Sequence, residues 1–317
     1  MRLGSTPLIV RTLITGVLLS TAASAQLTGG QTTLNPFEPT TRWSIDAPLA
    51  KPWIPRSVDF AVQGELLWSA PSVANPSLLL SSTAGDGSEG PLFEDQTLAG
   101  AIGPVLVCAG DEIDELFSAA QYPEGGSRCT TVMGHDPRTS AIDGTPFAPK
   151  WTYDPGVATD RPSLLDCGPS AEFLVCATFE GGEIQVDWLD PADGTRNSRV
   201  SITGSGLTAM AISEATERVA LIAGLDLWLI DRAGTVLVHE QLFTNTKALA
   251  LSEDGAILAY GDFGVIYVLS EYAGNYVNQG SFYGEVSELP TRIALSGNGT
   301  RLAVGWWDFV TGADVRL

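Results

Sequence analysis

Short apolar stretches alternate with polar turns along this chain, and one arrangement of them recurs. Segments 209–224, 248–261 and 292–305 each contain an apolar stretch ending in Ser, a polar turn, and a second apolar stretch ending in Gly. Such short stretches, rich in β-branched residues and bounded by Gly, Asp and Asn, are typical of β-strands. No helix of about 12 residues or more is predicted. The pattern therefore predicts an all-β repeat protein.

Weaker copies of the unit lie at 60–69, 102–110 and 164–178. We take the small residue that closes the second strand of each unit as its anchor; the anchors are Ser69, Gly110, Thr178, Gly224, Gly261 and Gly305. Their spacings are 41, 68, 46, 37 and 44 residues. Four of these approach the period of about 40–50 residues of four-stranded propeller blades. We interpret the Pro- and Gly-rich stretch 122–161 in the long interval as loop insertions.

The repeat predicts a β-propeller of four-stranded antiparallel blades with six blades visible, because radial stacking buries both faces of each sheet. The last residue, Leu317, falls within the third strand of the sixth unit. Two interpretations stay open. Either the N-terminal segment 42–46 supplies the missing outer strand and closes a six-bladed ring, or the chain is a fragment of a larger propeller.

Two segments carry a family resemblance. Segment 251–270, LSEDGAILAYGDFGVIYVLS, resembles a blade of the WD40/YVTN/quinoprotein-like propeller superfamily. Segment 141–154 is similar to the blade-closing pattern of quinoprotein repeats, with Asp143 and Gly144 ahead of a docking Trp151. The resemblance covers about residues 57–317 and implies propeller architecture. It implies no activity, because the superfamily contains scaffolds, binding proteins and enzymes.

The first 25 residues have the pattern of a secretory signal peptide. Arg2 and Arg11 flank a short apolar core, and Ala23-Ser24-Ala25 is a cleavage site of the A-x-A kind. We expect a mature chain that begins at Gln26, a flexible leader over 26–40 and a propeller domain over 41–317. The expected location is secreted or periplasmic.

The chain is strongly acidic, with 37 Asp and Glu, 17 Lys and Arg, and a net charge of −20. Such a surface repels nucleic acid and anionic membranes. We therefore expect no nucleic-acid partner and no membrane insertion. We expect a monomer that binds a protein or a small-molecule ligand of unknown identity.

Acidic residues follow most of the anchors, in the predicted turns between second and third strands; they are Asp111, Glu180, Asp226, Asp262 and Asp308. One interpretation is an acidic rim at one end of the ring that binds Ca²⁺ or a cationic ligand. The other is that Asp caps the backbone of a tight turn. Trp306 and Trp307 fall in the predicted turn that contains Asp308, and two adjacent aromatic residues cannot both face the same side of a strand. One interpretation is that one of them is exposed for binding. The other is that they pack between the last and first blades.

The leading functional hypothesis is a noncatalytic propeller that binds a protein or small ligand at one face. The alternative is a propeller hydrolase or lyase that uses carboxylates, with Ca²⁺ as a candidate cofactor, in the central channel. The chain has two His and no nucleophile motif of the G-x-S-x-G kind, so no catalytic residue is assigned.

Four cysteines in an exported protein suggest two disulfides. Cys108 and Cys176 occupy equivalent places in the aligned units, where neighbouring blades lie too far apart for a bond. The alignment instead predicts bonds within single blades, Cys108–Cys129 and Cys167–Cys176.

Overall fold

The structure of the chain is a computed structural model, and all regular structure in the residues that it describes is β-strand. The described residues are 55–61, 66–71, 77–84, 93–99, 106–109, 116–124, 127–135, 149–156, 164–168, 170, 172–284, 288–308 and 312–316. The predicted signal peptide, leader and segment 42–46 lie outside them. Within the described ranges no helix is long and apolar enough to cross a membrane.

The strands form six antiparallel sheets, and each sheet uses strands that follow one another in the chain. Sheet 1 contains β1 (Pro55–Ala61), β2 (Leu66–Pro71), β3 (Ser77–Ala84) and β4 (Phe93–Ala99). Sheet 2 contains β5 (Leu106–Ala109), β6 (Leu116–Glu124), β7 (Ser127–His135) and β8 (Pro149–Tyr153). Sheet 3 contains β9 (Leu164–Cys167), β10 (Leu174–Glu180), β11 (Glu183–Leu189) and β12 (Arg196–Thr203).

Sheet 4 contains β13 (Leu207–Ser213), β14 (Arg218–Ala223), β15 (Asp226–Asp231) and β16 (Val236–Gln241). Sheet 5 contains β17 (Leu249–Leu251), β18 (Ile257–Asp262), β19 (Val265–Tyr272) and β20 (Asn275–Tyr283). Sheet 6 contains β21 (Glu288–Leu295), β22 (Leu302–Asp308) and β23 (Gly312–Arg316).

The first strand of each sheet contacts the first strand of the next, in the series β1, β5, β9, β13, β17 and β21. The sheets therefore stand side by side like blades, with their first strands innermost and their last strands outermost. This arrangement is a β-propeller, and the predicted all-β fold of four-stranded blades is confirmed. Ring closure through the segment 42–46 stays a prediction.

The apolar core lies between neighbouring sheets. In β14, the residues from Val219 to Ala223 are completely buried. A second strand can be a continuous apolar run because a neighbouring sheet covers each of its faces. Trp188 of β11, which is 1% exposed, packs in the layer between sheets 3 and 4 together with Leu221. The same kind of layer recurs from sheet 2 to sheet 6.

The anchors at the ends of the second strands are small for physical reasons. Gly224 has a φ of 66°, in the left-handed region that favours glycine. Gly261 has no room for a side chain, because a Cβ there would lie 2.6 Å from the ring of Pro290 in the next sheet. Glycine is therefore required at Gly224 for the turn and at Gly261 for close packing against the next sheet.

The repeat alignment was wrong in sheet 2. Strand β5, which contains Cys108, is the first strand of its sheet and had been predicted as a second strand. The second strand is β6, which lies in the long interval after Gly110 and runs into the start of the stretch 122–161 interpreted as insertions. The mismatch arose because first and second strands are both short apolar runs, whereas β6 carries polar residues such as Ser118 and Gln121. Cys108 and Cys176 are therefore not equivalent positions.

The strand register contradicts the predicted Cys108–Cys129 disulfide. Cys108 lies opposite Phe117 in β6, and Phe117 lies opposite Gly134 in β7. Cys129 is thus two strands away and five residues further along, roughly 19 Å from Cys108 by strand geometry. A disulfide requires Cα atoms within about 7 Å.

The predicted Cys167–Cys176 disulfide is not formed either. Cys167 lies opposite Leu174, and Cys176 lies opposite Leu165, so the two cysteines are diagonal rather than directly opposed. Cys176 is a completely buried thiol in the layer between sheets 2 and 3. Burial, together with the nearby Asp187 carboxylate, raises the pKa of this thiol.

Candidate functional site

One end of the blades, here called the rim end, brings together two kinds of segment. They are the turns between second and third strands and the connections that lead to the next sheet, because alternate turns of an antiparallel meander lie at opposite ends. Backbone hydrogen bonds tie them together: Gly204 N to Gly182 O (3.0 Å), Leu242 N to Leu225 O (2.6 Å) and Gly284 N to Gly264 O (2.9 Å). Each bond joins a second-to-third turn to the outgoing connection of the same sheet, so the rim end is built in the same way in sheets 3, 4 and 5.

The structure places four of the five predicted acids next to second-to-third turns at this end: Glu180, Asp226, Asp262 and Asp308. Glu180 is exposed and lies opposite Glu183 across its turn. The backbone of Asp308 pairs with Glu288, while its side chain lies outside the described part of the structure. Asp111 lies outside the described residues, and in the chain it comes after the first strand β5 rather than after a second strand.

Asp226 belongs to a half-exposed cluster. Its Oδ1 lies 3.2 Å from Nε2 of His239 on the neighbouring strand β16. The His239 ring stacks on Trp228, with ring centroids 3.6 Å apart and an interplanar angle of 8°. The aromatic contact holds the imidazole beside the carboxylate, so Asp226 is a partly paired acid at the rim end.

Asp262 is only 5% exposed and caps a connection between sheets. Its carboxylate accepts hydrogen bonds from the backbone N–H of Phe243 (2.9 Å) and of Thr244 (2.8 Å), and from the Thr244 hydroxyl (2.9 Å). Charge-assisted hydrogen bonds of this kind fix a loop firmly. At this position the structure favours the capping interpretation over the ligand-binding one.

The described acids do not form a metal centre. Among the residues that the structure describes, no group of three or more His, Cys, Asp or Glu side chains is placed to hold a metal ion. The Ca²⁺ hypothesis therefore gains no site in these ranges. The acids at the rim end are spread over four sheets, one in each of sheets 3 to 6.

Trp306 and Trp307 face opposite sides of strand β22, rather than lying in a turn as the sequence suggested. Trp306 is 4% exposed and packs in the layer between sheets 5 and 6. A Cβ on Gly284 would lie 2.5 Å from the Trp306 ring, so the indole fills the space that this glycine leaves. Trp307 is exposed at the rim end, which agrees with the expectation that one of the two is exposed.

Large apolar side chains crowd the rim end. Six of them are exposed, and we call this set the apolar rim: Leu225, Phe243, Phe263, Tyr283, Leu289 and Trp307. Phe243 and Phe263 are exposed by 83% and 73%. Towards the opposite end, the large, apolar and exposed side chains within the described residues are Val236, Tyr272 and Val277. Exposed apolar patches on one side of a protein mark interaction surfaces.

Backbone contacts show that the apolar rim is continuous. Leu225 accepts a bond from Leu242, which precedes Phe243. The N–H of Phe263 donates to Thr244 Oγ1 (3.1 Å), which follows Phe243. Gly264 is bonded to Gly284, which follows Tyr283.

The same rim continues into sheet 6. A Cβ on Gly264 would lie 3.1 Å from the carbonyl oxygen of Glu288, the residue before Leu289. Leu289 lies directly opposite Trp307 in the pairing of β21 with β22. The six side chains therefore follow one another across sheets 4, 5 and 6.

Phe263 sits at the centre of this rim in a strained conformation. Its φ is 45°, in the left-handed region that a bulky residue rarely adopts and that costs about 1 kcal/mol or more. Asp262 before it and Thr244 beside it hold the turn in place. The fold thus fixes an aromatic side chain in solvent at a cost in stability.

Sequence reasoning selected Trp307 and missed the other members of the apolar rim. A signal was present, because Leu225 and Phe263 each adjoin a glycine in a predicted turn between second and third strands. A large apolar residue in a turn has no strand face to pack against. The prediction for these turns considered only their acidic residues.

Trp151 of β8 docks on the neighbouring sheet, as the resemblance implied. Its Nε1 donates to Pro191 O (2.8 Å) in the turn between β11 and β12. Its ring lies against Gly134 in its own sheet and Gly194 in that turn, where a Cβ would approach within 2.3 and 2.4 Å. Asp143 and Gly144, which belong to the same pattern, lie outside the described residues.

A buried ion pair supports the same junction between sheets 2 and 3. Asp187 of β11 is completely buried and binds Arg199 through Nε (2.6 Å) and a terminal nitrogen (2.9 Å). The Tyr153 hydroxyl of β8 donates to Asp187 (3.0 Å), and Arg199 donates to Pro155 O (2.9 Å). Burial and then the Asp187 charge raise the pKa of Tyr153 to about 12. All these groups are satisfied by one another, so they serve the fold.

The sheet order, the docking Trp and the inter-sheet core define the class of protein: the chain is a β-propeller. Its structure is similar to the β-propeller domain of Cps50 (Swd1) from Myceliophteria thermophila, with a TM-score of 0.55 and 16% identity. That similarity covers 83% of this chain and 85% of the other. No protein-family model matches the chain, and no curated protein matches it. At this identity the likeness shows the fold alone.

Proposed function

We propose that this chain is a noncatalytic β-propeller, secreted or periplasmic, that binds a protein partner through the apolar rim. The observation that carries the proposal is the continuous row of six exposed apolar side chains at one end of sheets 4, 5 and 6. The signal-like segment at 1–25 supports export.

A protein is the best-fitting partner because the apolar rim is extended. Its members follow one another across three sheets, whereas sites for small molecules are compact and concave. Burial of one Phe side chain contributes about 1.5–3 kcal/mol. Phe243 and Phe263 are both highly exposed, and Thr244 and Asp262 link their segments, so they are the expected centre of the interface.

The strain at Phe263 supports a binding role over a structural one. An exposed Phe that packs on little of its own protein returns no stability for its left-handed backbone. Asn tolerates this conformation better than Phe. We therefore expect Phe263→Asn to leave the melting temperature unchanged or slightly raised, and to weaken partner binding.

The noncatalytic role is supported by the hydrogen bonds of Asp262, the acidic residue that precedes Phe263 at the rim end. Asp262 already accepts three hydrogen bonds from its own chain. A carboxylate held in this way is engaged in supporting the loop that carries Phe243.

The test compares two double variants of the mature chain. Phe243→Ser with Phe263→Asn removes the centre of the apolar rim, and Val236→Ser with Tyr272→Ser removes exposed apolar surface at the opposite end. Each protein is incubated with the exported fraction of its source cells. Bound proteins are identified by mass spectrometry, and the affinity is then measured with purified components.

We expect one partner that binds the wild type and the opposite-end variant equally. The rim variant should weaken it by about 100-fold, which corresponds to two lost aromatic side chains at about 1.5 kcal/mol each. Equal recovery with both variants would show that binding, if any, does not use the apolar rim.

A further inference from the structure

The outer strand of sheet 5 has an edge unlike the other fourth strands. Strand β20 spans Asn275–Tyr283, and this nine-residue strand contains no charged residue and no proline. The other fourth strands all carry such residues: Glu94 and Asp95 in β4, Pro149 and Lys150 in β8, Arg196 and Arg199 in β12, and His239 and Glu240 in β16. Charges and prolines are the usual protection of a sheet edge against pairing with another chain.

The free edge of β20 offers backbone hydrogen-bonding groups. Gly284 N bonds to Gly264 O, so by the alternation of an antiparallel ladder Ser281 and Tyr283 direct their N–H and C=O groups away from β19. Strand β20 is the last strand of its sheet, with no strand beyond it among the described residues. The edge next to the rim end is thus a template for one more strand.

A bulge limits this template to the half of β20 next to the rim. The register shifts opposite Val268 and Leu269, and the Gly280 N–H bonds to Asn278 Oδ1 (2.8 Å). Beyond the bulge, Phe282 and Tyr283 are exposed by 56% and 76%. A strand added here would lead directly into the apolar rim through Tyr283.

The charge of the chain selects the partner. Segment 248–291, which contains all of sheet 5, has six Asp and Glu and no Lys or Arg, but Glu271 pairs with Arg218 of sheet 4, and Asp262 and Glu288 are buried. The attraction therefore comes from the net charge of −20 of the whole chain, which favours a cationic segment at this uncharged edge over an acidic one. A second copy of this chain, with its net charge of −20, is disfavoured by the same argument.

We propose that the protein partner adds an extended segment containing Lys or Arg as a fifth strand beside Gly280–Tyr283 of β20. This inference rests on the proposed function, since the segment would approach from the apolar rim. The main-chain hydrogen bonds would provide affinity, and the aromatic side chains at the end of the strand would provide specificity.

The test uses a phage-displayed library of random 12-residue peptides as the probe, selected on the mature chain. Enriched peptides are synthesised, and their affinities are measured by fluorescence anisotropy. The key variant is Ser281→Pro, which removes one outward N–H and leaves the ladder to β19 in place. Ser281→Ala is the matched control, because it changes the same side chain and keeps the N–H.

The proposal expects enriched peptides with Lys or Arg. Ser281→Pro should weaken their binding by about tenfold, as loss of a strand hydrogen bond does, and Ser281→Ala should leave it unchanged. Methylation of alternate backbone nitrogens of the peptide should abolish binding. Equal melting temperatures of the two variants would show that both are folded.

Three outcomes would overturn strand addition: no enriched peptide, acidic peptides, or binding unaffected by Ser281→Pro. Peptides that lose affinity only with Phe263→Asn would also overturn it and would leave the proposed function standing. The proposed function itself is tested separately, and it fails if the partner protein binds the Phe243→Ser, Phe263→Asn variant as tightly as it binds the wild type.

Discussion

The ion pair of Asp187 and Arg199 at the junction of sheets 2 and 3 can be tested by a double-mutant cycle. The pair is bidentate, with Asp187 completely buried and Arg199 about one quarter exposed, at 27%. The single variants are Asp187→Leu and Arg199→Met. The double variant replaces the pair with apolar side chains of similar size.

The two single variants are expected to be unequal. Arg199→Met removes the positive charge beside a fully buried carboxylate, which keeps the hydrogen bond from the Tyr153 hydroxyl. We expect this variant to lose about 3–5 kcal/mol of unfolding free energy. Asp187→Leu leaves a guanidinium that reaches solvent, and should cost about 1–3 kcal/mol. The double variant should lie within about 2 kcal/mol of the wild type, because apolar replacement of a buried pair is often tolerated. The coupling energy is then about 2 kcal/mol or more.

Urea denaturation monitored by tryptophan fluorescence measures these free energies of unfolding. The control cycle uses Glu217 and Arg232, an ion pair whose side chains are 49% and 35% exposed. That exposed pair should couple by about 1 kcal/mol at most. Additive effects at Asp187 and Arg199, with a coupling no larger than in the control, would refute the inference that this pair acts as a buried clamp.

Three further predictions concern packing and pH. Gly194→Ala should destabilise the fold by about 2 kcal/mol or more, because φ is 76° and a Cβ would clash with the Trp151 indole. Gly182→Ala is the control: its φ is 90° but no atom lies within 4 Å of its Cβ, so thermal unfolding should show a loss of about 1 kcal/mol. The pKa of Tyr153 is raised to about 12, so its protonated hydroxyl stabilises the folded protein fully below pH 10, and this contribution is lost as the pH rises from 10 to 12. When unfolding free energy is measured against pH, Tyr153→Phe should lose less stability over that range than the wild type. The hydrogen bond from Arg218 lowers the pKa of Glu271, so Glu271→Gln should remove stability that the wild type has above pH 4.5 and loses in more acidic solution.

Several features of the fold could be predicted from local sequence alone. The second strands of sheets 4 and 5 are continuous apolar runs that end in Gly224 and Gly261, and these runs set the repeat. Sheet 2 could not be assigned in the same way. Its first strand β5 is as apolar as a second strand elsewhere, so only the pairing with β6 reveals its place.

The candidate site was predicted only in part for a similar reason. The acids were visible as a pattern, but their roles depend on partners distant in the chain. Asp262 meets Thr244 from the preceding connection, and Asp226 meets His239 from the next strand. A sequence pattern cannot tell such a cap from a ligand group, because both use the same residue type in the same turn.

The sequence by itself determined the strand lengths, the repeat and the placement of acids beside turns, since these follow from alternation and turn chemistry within a few residues. The tertiary structure decided which strands pair, which cysteines approach one another, and which apolar side chains remain in solvent. Phe243 and Phe263 illustrate the difference, because each is an ordinary apolar residue in the chain. Only the hydrogen bonds that Asp262 and Thr244 make between neighbouring segments bring the two together on one exposed surface.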